Sequence, residues 1–263
     1  AEDRPPYEVF IDSSESSPVL IVCDHASNYV PRALNGLGID SELFERHIGY
    51  DIGAAGVSRS MATKIGVSAV LSGFSRLVID PNRYLTAHDS IPTISDGVAI
   101  CGNEMLTPLD MMVRVEELFI PYHNAISQAV TAICNHFTMP LVLSVHSYTP
   151  IFQGFERPWE IGVLWEGDDG IASMLIDYLR EHTDFHVGEN EPYHACNPVG
   201  YTVKTHAESR NFPHALVEIR QDLIQDEAGQ DKFARLLAGA LESIQSTLSA
   251  VLYRHTAHAA ENG

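Results

Sequence analysis

The stretch LVLSVHSY, residues 141–148, begins as a buried strand and ends in polar residues. Four apolar residues and one serine precede His146, and a short apolar run of this length is typical of a covered strand. A histidine at the end of such a strand is more often an ordinary hydrogen-bonded residue than a functional one. Its interpretation therefore depends on whether the chain places partners beside His146.

Other apolar runs alternate with helical patterns along the chain. Strand-like runs cover residues 19–23, 67–71, 76–80, 140–145, 161–165 and 215–219. Helical patterns cover residues 41–65, 109–137, 170–182 and 227–254, with the first divided into two stretches near Gly49 and a kink or a new start expected at Pro121. Strands separated by helices predict an α/β fold, a three-layer α/β/α sandwich with a mixed, mainly parallel sheet.

We expect residues 1–263 to form a single domain. The polar residues 1–17 are predicted to be an irregular lead-in, and residues 256–263 a loose tail. The four cysteines, Cys23, Cys101, Cys134 and Cys196, are widely spaced and contain no Cys-x-x-Cys pair. This usage predicts reduced thiols in a cytoplasmic protein.

The composition limits the partners of this chain. Its 35 acidic and 16 basic residues give a formal charge of −19, which disfavours sequence-independent binding to nucleic acid or anionic lipid. No apolar stretch reaches 18 residues, so no transmembrane helix is predicted. We expect a small-molecule partner, while the sequence leaves the oligomeric state undetermined.

Reactive side chains follow the apolar runs directly. In a mainly parallel sheet, ligands bind beyond the carboxyl ends of the strands, so these side chains are candidates for one site. They are Asp24, His25, Asp80, Asn82, Arg83, His146, Ser147, Glu218 and Arg220.

Two of these side chains suggest a metal site. The imidazoles of His25 and His146 could hold a divalent ion from adjacent strand ends, and zinc then needs a third protein ligand, often a carboxylate. Asp51, Asp24 and Asp80 are the candidates for that ligand. The alternative is a pair of hydrogen-bonded structural histidines.

Two further motifs suggest acid–base chemistry and anion binding. Glu218 could take a proton from a metal-bound water, although an ion pair with Arg220 is the structural alternative. The guanidinium of Arg83, with the amide of Asn82, could grip a carboxylate through parallel hydrogen bonds. Arg76 and Arg220 are rival carboxylate binders, and a plain surface turn is the alternative.

Other chemistries lack sequence support. The chain contains no Gly-x-Gly-x-x-Gly or phosphate-binding loop and no Gly-x-Ser-x-Gly, so nucleotide binding and an α/β serine hydrolase are disfavoured. A loop before the last predicted strand could cover the site, although most of its histidines are expected to be ordinary polar residues. It contains Tyr193, His194, Tyr201, His206 and His214.

In their order along the chain, seven segments resemble the N-formylglutamate amidohydrolase family. These are Val22–Ser27, Gly49–Asp51, Ser75–Arg83, Pro121–His123, Leu143–Ser147, Asn190–Tyr193 and Val217–Arg220. They extend from about residue 19 to about residue 225, and it is their combination that is specific.

The resemblance implies a zinc-carboxypeptidase-like fold, distantly similar to aspartoacylase, in which an early His-x-x-Glu motif binds the metal. Here that motif reads His25-Ala-Ser-Asn28. Asn28 stands at the position of the glutamate, and Asp51 is the candidate replacement. The implied ligands of a divalent metal, expected to be zinc, are therefore His25, Asp51 and His146.

The resemblance also implies hydrolysis of N-formyl-L-glutamate to formate and L-glutamate, a reaction of histidine degradation. Glu218 would act as the base, and Arg220 would orient Glu218 or hold a second carboxylate. The implied substrate-binding residues are Asn82, Arg83, Ser147 and Tyr193. The competing functions are removal of a different acyl group or a peptide residue, and carboxylate binding without catalysis.

Overall fold

The computed structural model describes residues 3–10, 13–167, 170–193 and 200–261, with side chains up to residue 249. Its strands are β1 (Tyr7–Phe10), β2 (Val19–Cys23), β3 (Ser68–Ser72), β4 (Ile94–Ser95), β5 (Val98–Ala99), β6 (Leu141–Tyr148), β7 (Ile151–Phe152), β8 (Phe155–Glu156), β9 (Ile161–Leu164), β10 (Val187–Glu189) and β11 (His214–Arg220). Its helices are α1 (Ala54–Ile65), α2 (Pro108–Arg114), α3 (Ile120–Cys134), α4 (Gly170–His182), α5 (Tyr201–His206) and α6 (Glu227–Glu261). Short 3₁₀ segments cover Arg32–Gly38, Ser41–Glu45, Cys101–Asn103, Glu208–Arg210 and Gln221–Leu223.

Seven strands form one mixed, mainly parallel sheet in the order β1-β3-β2-β6-β11-β9-β10. The pairs β3–β2, β2–β6, β6–β11 and β9–β10 are parallel, whereas β1–β3 and β11–β9 are antiparallel. The predicted α/β fold is confirmed. Because β2, β6 and β11 run side by side in the same direction, their carboxyl ends meet at one edge of the sheet.

Helices cover both faces of this sheet, as the three-layer prediction requires. Since side chains alternate along a strand, Leu143 and Val145 of β6 pack in the core formed with α1, α4 and α6. Val142 packs in the second core, formed with α3. His146 shares the face of Val142, so the pleat directs its imidazole toward the α3 side.

Two predicted segments differ from the structure. Within the expected lead-in, Tyr7–Phe10 forms an edge strand that pairs with β3. Residues 76–80, predicted as a strand, instead form a buried turn. There the hydroxyl oxygen of Ser75 accepts a hydrogen bond from the backbone N–H of Leu77, and the carbonyl of Ser75 accepts one from the backbone N–H of Val78. The apolar residues of this turn pack in the α3-side core, and burial without sheet pairing explains the wrong prediction.

The predicted kink near Pro121 takes the form of a π-helical turn, Val115–Phe119, between α2 and α3. The N–H of Ile120 bonds to the carbonyl of Val115, so the extra residue is absorbed just before the proline. This arrangement lets α3 present Tyr122, which is fully buried, to the carboxyl edge of β2.

At the chain's end, α6 extends to Glu261, beyond the predicted helix limit at residue 254. The described cysteines, Cys23, Cys101 and Cys134, are free thiols, while Cys196 lies outside the described residues. Among the described residues, no helix combines the length and apolar character needed to span a membrane.

Candidate active site

Side chains from the ends of β2 and β6 converge at the carboxyl edge of the sheet. The rings of His25 and His146 are 4.9 Å apart and nearly perpendicular. Asp51 joins them because its backbone N–H donates to the carbonyl of His25, at 2.9 Å. The three side chains are buried, and one donor atom of each lies within 4.8 Å of the other two.

Both imidazoles present Nδ1 to the same carboxylate oxygen. Oδ2 of Asp51 lies 3.2 Å from Nδ1 of His25 and 2.8 Å from Nδ1 of His146. The backbone N–H of Ser147 also donates to this oxygen, at 3.2 Å. Its hydroxyl donates to the carbonyl of Ile52, at 2.8 Å. Ser147 thus holds the segment that carries Asp51.

The other nitrogen of each ring contacts a second carboxylate. Nε2 of His25 lies 2.8 Å from Oδ1 of Asp80, and Nε2 of His146 lies 3.2 Å from Oδ2 of Asp24. An ionised carboxylate only accepts hydrogen bonds, so each Nε2 carries the proton. In the neutral tautomer, each Nδ1 then directs a lone pair toward Asp51.

This donor set fits a divalent cation. Two imidazole lone pairs and a carboxylate oxygen that face one another repel unless a positive charge lies between them. Ligands of a tetrahedral zinc ion are about 2.0–2.2 Å from the metal and hence roughly 3.3 Å from each other. Here the two Nδ1–Oδ2 distances are 3.2 and 2.8 Å, and all three donor atoms lie within 4.8 Å of one another. Second carboxylates that fix the imidazole tautomer are also typical of metal sites.

Hydroxyl and guanidinium groups hold the two outer carboxylates in place. Asp24 accepts hydrogen bonds from Tyr122 Oη, at 2.8 Å, and from Thr202 Oγ1, at 2.6 Å. Asp80 accepts from Nη2 of Arg76, at 2.7 Å. Although burial opposes ionisation, the positive charge of Arg76 keeps the pKa of Asp80 well below its usual value.

The charge balance of the cluster also favours a cation. Three buried aspartates and Glu218 surround the two histidines, and Arg76 is the one arginine in contact with them among the described residues. Burial alone would lower the pKa of His146. The hydrogen bonds to Asp24 and Asp51 overcome this and raise that pKa well above its usual value. The site thus attracts positive charge.

Glu218 lies beside this cluster on the neighbouring strand. It is paired in register with His146 across the parallel strands β11 and β6, so both side chains project from the same face. The side chain is buried, and its Oε2 has no hydrogen-bond partner among the described residues. Burial raises the pKa of Glu218 to about 7, which suits a group that takes up and releases a proton near neutral pH.

Residues 17–225 match the sequence model of the family described as FGase, N-formylglutamate amidohydrolase. This chain belongs to the N-formylglutamate amidohydrolase family. The resemblance found in the seven segments is confirmed, and the chain is an amidohydrolase.

Two solved structures resemble this family member. The gene product Atu2144 from Agrobacterium tumefaciens is 30% identical, with a TM-score of 0.86, over 92% of this chain and 97% of that one. The N-formylglutamate amidohydrolase from Ralstonia eutropha JMP134 is 18% identical, with a TM-score of 0.70, over 94% of this chain and 99% of that one, and supports the fold. No curated protein matches the chain.

Of the Asn82–Arg83 pair, only Asn82 contacts the histidine cluster of this amidohydrolase. Asn82 is buried, and its Nδ2 lies 3.4 Å from Nε2 of His146. Its Oδ1 accepts the backbone N–H of Thr202, at 3.1 Å. The guanidinium of Arg83 instead contacts Asp89, at 2.9 Å from its Nε.

Three other predicted site residues have different surroundings. The hydroxyl of Ser147 is engaged by a backbone carbonyl, so its contact positions protein rather than substrate. Burial and the charge of Glu218 raise the pKa of Tyr193, which places this phenol within the field of the centre. The guanidinium of Arg220 contacts Asp222, at 2.9 Å, and its part in catalysis stays a prediction.

Asn28, at the position of the expected glutamate ligand, lies outside the cluster. Its amide donates to Oε1 of Glu45, at 2.9 Å, and the carboxylate facing the two imidazoles belongs to Asp51. His194, in the predicted covering loop, lies outside the described residues.

Sequence reasoning missed two residues that touch this site. Thr202 carried no signal, because its bond to Asp24 joins residues 178 positions apart. Arg157, which contacts Tyr193, lies in Glu156-Arg157-Pro158 and reads as part of a charged turn.

Proposed function

We propose that this chain hydrolyses N-formyl-L-glutamate to formate and L-glutamate with the help of a divalent metal ion, which we take to be zinc. The observation that carries the proposal is the convergence of Nδ1 of His25, Nδ1 of His146 and Oδ2 of Asp51. These three residues would hold the ion, and Asp80 and Asp24 would fix the tautomers of the two imidazoles.

A cation held there would polarise the formyl oxygen and lower the pKa of a bound water. Glu218 supplies the base. Its carboxylate accepts one proton from the attacking water, and the new C–O bond forms at the formyl carbon. Glu218 then gives this proton to the amide nitrogen as the C–N bond breaks, which releases formate and the free amine of glutamate. A pKa near 7 suits both transfers.

Neighbouring groups would orient the substrate. Asn82 touches the ring of His146, so an amide hydrogen bond from it would reach the part of the substrate nearest the scissile bond. We assign the α-carboxylate to Asn82 and Arg83, whose positive charge also acts on Asp80. Tyr193 would close the site above Glu218.

The finer setting of the reaction follows from the same proposal. Hydrolysis of N-formyl-L-glutamate would place the enzyme in histidine degradation. The free thiols of the described cysteines suit the reducing cytoplasm, where we expect it to act on its small-molecule substrate.

The test measures metal content and formate release on the same purified protein. We expect close to one zinc per chain and formate release from N-formyl-L-glutamate, abolished by a chelator and restored by zinc. N-acetyl-L-glutamate and a dipeptide report on the competing acyl specificities. Zinc-loaded protein that releases no formate would exclude the proposed reaction, and full activity of metal-free protein would exclude the metal.

A further inference from the structure

Arg157 is enclosed by aromatic rings at one side of the site. Its guanidinium carbon lies 4.8 Å from the centre of the Phe152 ring, 5.1 Å from that of Tyr193 and 5.4 Å from that of Tyr148. The residue is only 7% exposed. Aromatic faces attract a cation, but they do not neutralise its charge.

The hydrogen bonds of this guanidinium are few and long. Nη1 donates to the carbonyl of Thr149, at 3.3 Å, and to the phenol oxygen of Tyr193, at 3.4 Å. By comparison, the guanidinium of Arg114, the other buried arginine of the described chain, donates to oxygen acceptors at 2.7, 2.7 and 3.2 Å. Nε and Nη2 of Arg157 have no hydrogen-bond acceptor within the part of the chain that the structure describes.

No carboxylate contacts Arg157 among the described residues. The segment 194–199, which follows Tyr193 in the chain, contains no acidic residue. A buried charge without a counter-charge is costly, so binding of a group of opposite charge would stabilise Arg157. Within the described residues Arg157 therefore lacks a counter-charge, which an anionic ligand would supply.

The position of Arg157 relates this anion to the reacting centre. Tyr148 follows His146 by two residues on β6 and lies on the same face, about 6.6 Å further along the strand. Tyr193 lies near both Arg157 and Glu218. Its phenol oxygen accepts a hydrogen bond from Arg157, and burial and the charge of Glu218 raise its pKa. A ligand whose amide lies at Glu218 could therefore extend to Arg157.

We propose that Arg157 binds the side-chain carboxylate of the substrate's amino-acid portion and thereby selects acidic N-acyl amino acids. This inference rests on the proposed function. A guanidinium can grip a carboxylate through two parallel hydrogen bonds, and the surrounding rings can pack against the methylene groups of a glutamate side chain. Asn82, which reaches His146, serves the carboxylate nearer to the scissile amide.

The test compares N-formyl-L-glutamate with N-formyl-L-glutamine, in which an amide replaces the side-chain carboxylate. In Arg157→Gln we expect kcat/KM for the glutamate substrate to fall by about 10- to 100-fold, the usual weight of a charged hydrogen bond. The value for the glutamine substrate should change little. The control is Arg210→Gln, an exposed arginine 4.6 Å from the Phe212 ring, which should leave both values unchanged.

Some outcomes would overturn the assignment. One is an unchanged ratio of kcat/KM between the glutamate and the glutamine substrate, and another is an equal fall of kcat/KM on both. A third is that the variant loses only its discrimination against the α-amide of N-formylglutamate, which would assign Arg157 to the α-carboxylate. If Arg157→Gln fails to fold, as judged by circular dichroism, Arg157→Lys carries the test. The lysine ammonium cannot form two parallel hydrogen bonds, so the preference of this variant for N-formyl-L-glutamate over N-formyl-L-glutamine should fall several-fold. An unchanged preference would refute the proposal.

A binding measurement separates this inference from the proposed function. We expect calorimetry on zinc-loaded protein to show tighter binding of L-glutamate than of L-glutamine, and Arg157→Gln to remove the difference. If the wild type releases no formate but shows this Arg157-dependent selectivity, the proposed reaction fails and the carboxylate site stands. If formate is released and the selectivity is unaffected by Arg157→Gln, the proposed reaction stands and the carboxylate site at Arg157 fails.

Discussion

The substitution Asp24→Asn tests how the outer carboxylates control the candidate metal site. Asp24 is fully buried. Its Oδ1 accepts hydroxyl hydrogen bonds from Tyr122 and Thr202, and its Oδ2 accepts the Nε2 proton of His146. The asparagine has nearly the same shape but offers an acceptor on one side and a donor on the other.

Either orientation of the new amide places donors against each other. If its nitrogen faces His146, the ring must shift its proton to Nδ1 and lose the lone pair directed toward Asp51. If its nitrogen faces the hydroxyls, Tyr122 and Thr202 lose their shared acceptor. An unpaired buried donor costs about 1–3 kcal/mol, so we expect zinc affinity to fall by roughly 10- to 100-fold, as is usual for such outer partners.

The assay is competition for zinc against a chromophoric chelator, with urea unfolding of the metal-free protein as a second readout. The matched control is Ser144→Ala. The hydroxyl of Ser144 contacts Asp24 at 3.4 Å, but it does not determine which nitrogen of His146 carries the proton. We expect this control to bind zinc within about threefold of the wild type, the effect of a weak hydrogen bond. Wild-type zinc affinity in a folded Asp24→Asn protein would refute the reasoning.

Three further predictions concern other parts of the protein. Glu218→Gln should lower kcat by roughly 10²–10⁴-fold at unchanged zinc content; steady-state kinetics with near-normal turnover would exclude Glu218 as the base. Arg83→Ala should raise KM for N-formyl-L-glutamate about tenfold at similar kcat, and an unchanged KM would remove Arg83 from substrate binding. Burial, aided by the neighbouring His123, lowers the pKa of His206 to about 4, so the unfolded chain, with a histidine pKa of about 6.5, binds this proton first. Stability should therefore fall as the pH drops below about 6.5, and between pH 7 and 5 metal-free wild type should lose about 2 kcal/mol more than His206→Gln in urea unfolding; equal losses would contradict the pKa shift.

The two histidines of the candidate metal site were predictable because a parallel sheet imposes a simple rule. His25 and His146 follow apolar runs that pair in parallel, so the carboxyl ends of their strands meet regardless of the intervening chain. Glu218 follows the same rule on the next strand. Asp51 was one of three candidate carboxylates, and the family resemblance selected it, because the alternation of apolar and polar residues does not place a loop residue.

The remaining parts of the site depend on contacts that no local pattern encodes. The run at 76–80 has the composition of a strand, yet Ser75 captures its backbone in a turn, and this turn carries Asp80 to His25. Thr202 lies on a short helix whose place is set by packing against α3, through the hydrogen bond between His123 and His206 at 2.9 Å. The apolar runs thus point to the candidate ligands and to Asp24 and Asp80 beside them, but not to Thr202 or to the turn that places Asp80.

The part of the site near Arg157 depends on a glycine, Gly162, that leaves room for a neighbouring segment of the chain. A Cβ at Gly162, which pairs with Glu218 across β9 and β11, would collide with the carbonyl of Glu191. The bare backbone of Gly162 therefore lets the segment before Tyr193 cross β9 on the face of Glu218, and Tyr193 reaches Arg157 as a result. Larger residues at Gly162 should displace Tyr193 before they disturb His25 or His146. Gly162→Ala should thus weaken substrate selection while zinc binding, measured by chelator competition, is retained; loss of both together would show that the two regions are not separable.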